Sequence, residues 1–137
     1  MKIACALFLM SIASISHAAD GSCSAATLKG QYVFTGRGSI EAAEPGIQRV
    51  HYGVFRFDGR GGFVGKQSSS RGGKIGRETL SGTYTLDADC SGSLKINPIL
   101  KPTNQGTLWD MYATDDGKRG HVIRMDEGNM AVRSFEK

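Results

Sequence analysis

The stretch His51-Tyr52-Gly53-Val54-Phe55-Arg56-Phe57-Asp58-Gly59-Arg60-Gly61-Gly62-Phe63-Val64-Gly65 decides the fold. Its opening residues alternate. His51, Gly53, Phe55 and Phe57 share one side of an extended chain, and Tyr52, Val54 and Arg56 share the other. A period of two is the signature of a strand with two different faces, and Phe55 and Phe57 mark the face expected to be buried. The run Asp58-Gly59-Arg60-Gly61-Gly62 then supplies residues that accept positive φ at little steric cost, so the chain reverses and re-enters a strand at Phe63. The stretch predicts a β-hairpin.

The same grammar recurs along the chain. All 19 glycines lie beyond residue 18, about twice the usual frequency, and they punctuate short alternating segments as an all-β chain requires. Strands are predicted from Gly30 to Arg37, Arg49 to Phe57, Gly62 to Ser69, Lys74 or Arg77 to Leu86, Ser93 to Ile99, Thr107 to Thr114, Gly120 to Met125 and Met130 to Phe135. Between them lie turn dipeptides such as Asp58-Gly59, Ser91-Gly92 and Asp116-Gly117, whose short reach implies an antiparallel meander. The longer links, Gly38 to Gln48 and Pro98 to Gly106, are candidate mouth loops. Ala25 to Leu28 has room for one helical turn at most. Short antiparallel strands in this number escape exposed edges either by closing into a barrel or by splitting into a β-sandwich, and the pattern alone leaves both open.

The N-terminus reads as a secretory signal peptide over residues 1–18. Lys2 precedes an apolar run, Ile3 to Met10, and Ser16-His17-Ala18 is a small-residue exit. No stretch approaches the roughly 20 apolar residues of a transmembrane helix. The expectation is therefore a secreted or periplasmic protein, without a lipid anchor, whose residues 19–137 form one domain. Loss of Lys2 leaves 16 basic against 13 acidic residues, a modest excess far from the basic stripe of a nucleic-acid binder. Arg-Gly-Gly segments at Arg60 and Arg71 resemble RNA-binding repeats but sit where turns are expected, and no phosphate-cradling glycine loop is present. No nucleic-acid partner and no cofactor are expected.

Cys23 and Cys90 remain in the mature chain, in a compartment where disulfides persist. Pairing is the economical reading. A thiol nucleophile or a metal-ligand pair is the alternative, but no CxxC spacing or histidine cluster accompanies either cysteine.

The spaced elements Cys23-x4-Leu28-Lys29-Gly30-x-Tyr32-x-Phe34, Phe55-Arg56-Phe57-Asp58-Gly59-x-Gly61, Leu80 to Leu86 and Asp89-Cys90-Ser91-Gly92 resemble, in this order, bacterial exported proteins with an allene oxide cyclase barrel-like domain. The resemblance implies a single eight-stranded antiparallel barrel of lipocalin-like build, with an interior suited to a small apolar ligand. It implies no cyclase activity, because no catalytic residue of the plant cyclases maps onto this sequence and a shared fold is only an analogy for function.

Candidate ligand-lining residues are Tyr32, Phe34, Tyr84 and Trp109, with His51 as a polar contact on the face of Phe55 and Phe57. For His51 the plainer reading, a satisfied or mouth-facing histidine, outweighs a ligand role. Neither His51 nor His121 has partners at metal-ligand spacing, so no metal is expected. Glu78, Asp110, Arg124 and Arg133 fall inside strands. Facing inward they would orient a polar ligand or move protons, but the plainer expectation points all four outward. The functional expectation is a non-enzymatic binding module for a small hydrophobic molecule. An isomerase or cyclase acting inside the barrel, and a structural or protein-interaction module, are the rival classes.

Overall fold

The computed structural model describes residues 22–39, 45–98 and 106–137. They form one closed antiparallel barrel in which eight strands follow each other in chain order: β1 (Lys29–Ser39), β2 (Gln48–Asp58), β3 (Gly62–Arg71), β4 (Lys74–Leu86), β5 (Ser91–Ile96), β6 (Thr107–Ala113), β7 (Arg119–Arg124) and β8 (Met130–Glu136). Closure comes from β8 pairing back onto β1, from Val33 opposite Glu136 to Ser39 opposite Met130. Every strand expected from the alternation is present, and the barrel, not the sandwich, is the outcome. The fifth strand stops at Ile96, short of Ile99: Asn97 donates its amide to the Ser81 carbonyl, and Pro98 has no N–H to extend the ladder. The predicted leader, residues 40–44 of the first predicted mouth loop and residues 99–105 of the second lie outside the described residues.

The opening hairpin folds as its sequence requires. Asp58 accepts hydrogen bonds from the backbone N–H of Arg60 at 2.7 Å and of Gly62 at 2.9 Å, while Gly59 and Gly61 take φ of 77° and 104°. Phe55 and Phe57 point inward and are buried, as the alternation predicts.

The two ends of the barrel differ. At one end, turns 59–61, 87–90 and 114–118 gather around a single 3₁₀ turn, Ala25–Thr27, that lies across the opening. The Tyr84 hydroxyl is shared between the carbonyls of Ala25 and Leu28, at 2.8 and 3.0 Å, and the Tyr32 hydroxyl donates to the Gly117 carbonyl at 2.6 Å. Cys23 and Cys90 are bridged, with Cα atoms 5.1 Å apart, fastening this plug to the β4–β5 turn. We call it the sealed end. The opposite end, the rim, carries the β1–β2, β3–β4, β5–β6 and β7–β8 connections.

Above the plug the interior is filled by aromatic rings. Phe34 stacks on Phe55 with centroids 4.2 Å apart, and Tyr32, Phe57, Phe63, Tyr84 and Phe135 meet edge-on or tilted. Rings of this size fit because glycines stand opposite them. Phe34 faces Gly53, Phe63 faces Gly82 and Phe135 faces Gly120, and a Cβ on any of these three glycines would collide with the facing ring. Many glycines therefore serve the core and not a turn.

Phe55→Ala or Phe57→Ala should lower stability by about 3–5 kcal/mol in denaturant unfolding, since each removes a fully buried ring from this stack. Replacing both Cys23 and Cys90 by Ala should cost about 4 kcal/mol in the same assay, the chain-entropy value for a bridge spanning 67 residues. Denatured, unreduced protein lacking residues 1–18 should show no free thiol on titration.

Candidate functional site

Towards the rim, the inward positions change from aromatic to polar. Directly opposite residues of an antiparallel pair lie on the same face. Gly36 of β1 stands opposite His51 of β2 on one side and Arg133 of β8 on the other, so these three form one inward row, extended by Ser69 opposite His51. Next to it run Gln67 and Glu78, also opposite each other. Gly36 makes the row possible: a Cβ there would sit 2.5 Å from His51 Nε2 and 2.7 Å from Arg133 Cγ.

Arg133 is the unusual member. It is 4 % exposed, and its guanidinium carbon lies 4.7 Å from the centroid of Trp109 and 4.9 Å from that of Phe34. No described residue accepts a hydrogen bond from its Nε or Nη1. Burial, with the positive charges of Arg49 and Arg124, pulls its pKa down to about 9, so it remains a cation at pH 7. Cation–π contacts recover about 2 kcal/mol each at best, whereas removing an ion from water costs several. The rings hold the charge in place without neutralising it.

His51 is 3 % exposed, and neither ring nitrogen has a hydrogen-bond partner among the described residues. Burial, followed by the charges of Arg133 and Arg49, pushes its pKa down to about 3, so the imidazole is neutral at pH 7. Closer to the rim, Arg49 donates to Glu78 Oε1 at 3.4 Å and to Ser69 Oγ at 3.2 Å, and Gln67 donates to Glu78 Oε2 at 2.9 Å. Arg124 is held by Asp126 at 2.9 Å. The two carboxylates are thus matched to Arg49 and Arg124, and Arg133 is left without a counterion among the described residues.

The five residues singled out from sequence all point into the barrel, but they divide. Phe34, His51 and Trp109 surround Arg133 or its row, with the Phe34 and His51 rings 6.3 Å apart. Tyr32 and Tyr84 lie deeper, with their hydroxyls engaged in closing the sealed end. Expecting Glu78, Asp110, Arg124 and Arg133 all outward is corrected for three of them: Arg133, opposite Gly36, Glu78, opposite Gln67, and Arg124, opposite Trp109, take inward positions. Asp110 stands opposite Ser93 and Ile123 on the outer face. Arg49 and Gln67 were not singled out at all. Their signal was parity: Arg49 is two residues from His51, and Gln67 is four from Phe63, each on the inward count. His121 is exposed and contacts Ser134. No cluster of three or more metal-ligating side chains occurs among the described residues.

The chain matches no family model, no curated protein and no solved structure.

Gly36→Ala should destabilise the protein by about 1–3 kcal/mol, because the row has no room for a methyl group, and denaturant unfolding checks this. A depressed histidine pKa leaves its contribution to stability whole above the unfolded value of 6.5, and that contribution is lost as pH falls towards 3. Unfolding free energy should therefore fall between pH 6.5 and about 4.5, before carboxylates protonate, and His51→Gln should flatten that slope.

Proposed function

We propose that this protein is an exported, non-enzymatic binding module that holds a small molecule in the rim half of its barrel. One observation carries the reading. Arg133, His51 and Gln67 are buried beneath the rim with polar atoms left unpaired among the described residues, in a fold whose other half is filled and plugged. Buried polar groups are nearly always satisfied in native proteins, and unpaired ones mark places where something else supplies the partner. A small-molecule site typically combines apolar walls with a few placed polar groups, and Phe34 and Trp109 beside Arg133 and His51 have that composition. The reading modifies the expectation of a purely hydrophobic ligand, since the seat offers both an apolar surface and a charge.

Catalysis has less support. A histidine with a pKa near 3 is too weak a base to take protons efficiently at neutral pH, and Glu78 is already engaged by Arg49, Gln67 and Ser69. Export is supported by the leader-like residues 1–18, by the Cys23–Cys90 bridge and by the lack of a helix long and apolar enough to cross a membrane among the described residues.

Trp109 is the sole tryptophan and lies against Arg133, so its emission reports on the seat. Titration of the chain lacking residues 1–18 with fatty acids, phenylpropanoids and isoprenoids should shift or quench that emission for at least one class. His51→Ala should weaken the effect more than His121→Ala. Turnover of a bound compound that depends on His51 or Glu78 would replace this reading with the enzyme.

A further inference from the structure

We infer that the ligand is an organic monoanion whose carboxylate is received by Arg133. The inference rests on the binding reading above and names the class of molecule. Six buried side-chain atoms of the rim half have no hydrogen-bond partner among the described residues: Arg49 Nε, Arg133 Nε and Nη1, both ring nitrogens of His51, and Gln67 Oε1. A neutral imidazole contributes one donor and one acceptor. The unpaired set therefore offers four donors, three of them on guanidinium groups, against two acceptors. What is missing is an acceptor-rich group, which describes an anion better than a neutral alcohol or a hydrocarbon.

Charge specifies it further. Among the described residues Arg49 and Arg124 are matched by Glu78 and Asp126, which leaves the single charge of Arg133 to be met. One negative charge balances it, and a phosphate dianion overshoots. A carboxylate is planar and suits the planar guanidinium, whose hydrogen bonds to it are charge-assisted. Arg133 lies three residues from Met130 at the start of β8, and the stacked Phe34 and Phe55 lie beneath its row.

The test compares acids with their own amides, using the chain lacking residues 1–18. Benzoate, 4-hydroxybenzoate, hexanoate and acetate are titrated calorimetrically beside the matching neutral amides and inorganic phosphate. At least one carboxylate should bind about tenfold or more tightly than its amide, the discrimination expected of a charge-assisted hydrogen bond. Arg133→Met should abolish that preference while raising the Tm of the ligand-free protein, because it removes a buried unpaired charge and keeps an unbranched side chain between Trp109 and Phe34. Arg133→Lys should retain a reduced preference. A merely structural arginine would behave in the opposite way, with Arg133→Met lowering Tm and leaving the acid-to-amide ratio unchanged. Acids and amides that bind equally overturn the inference but leave the small-molecule seat standing. Phosphate binding more tightly than every carboxylate also overturns it. If neither these compounds nor the wider fluorescence panel bind, the inference and the binding reading fall together.

Discussion

β1 hydrogen-bonds to β2 along one edge and to β8 along the other, and the interior depends on that second pairing. An open eight-stranded meander would expose a row of backbone donors and acceptors on each outer strand and leave one whole face of aromatic side chains in water. Closure removes both edges and sets an interior width that side chains can just fill. That fixed width explains the pairing of rings with glycines across neighbouring strands. Two large residues directly opposite each other at Phe34 and residue 53, or at Phe63 and residue 82, would not fit inside the same circumference.

Within this cylinder the chain solves two different problems. Near the sealed end it gains stability in the ordinary way, through ring contacts, satisfied tyrosine hydroxyls and a covalent bridge. Near the rim it gives stability up. A buried guanidinium without a counterion among the described residues, held over two aromatic faces, and a histidine kept neutral by its burial and then by that charge are both worse for folding than apolar residues of similar size. Proteins keep such arrangements where function needs them, and the filled half supplies the margin that lets the rim half do so.

Much of the architecture was legible in the sequence. Alternation around Phe55 and Phe57 identified the buried face, and turn residues marked most strand ends within a residue or two, the end of β5 at Ile96 being three short of the expected Ile99. Barrel and sandwich were not separable by pattern, because both present one apolar and one polar face per strand; only the pairing of β1 with β8 distinguishes them. The glycine excess was read as turn chemistry alone. Gly36, Gly53, Gly82 and Gly120 show that part of it reflects crowding between strands far apart in sequence, which no local pattern reveals. Arg133 was hidden for a related reason. Its neighbours Ala131 and Phe135 lie on the same inward count, yet an arginine in a short strand ordinarily points to water. The cause of its burial lies in Gly36 and Phe34, about a hundred residues away, and in Trp109, about two dozen away.

The plug also governs where the chain enters and leaves the fold. Ser22 leads into the bridged segment at the sealed end, and Lys137 donates its backbone N–H to the Lys118 carbonyl at that same end. Both described ends of the polypeptide thus lie on the side away from the rim. A tether, tag or neighbouring domain joined at either end would orient the barrel like a cup on a stem, with its mouth facing outward. Surface immobilisation through the termini would accordingly leave the rim facing solution, whereas attachment through the rim connections would obstruct it.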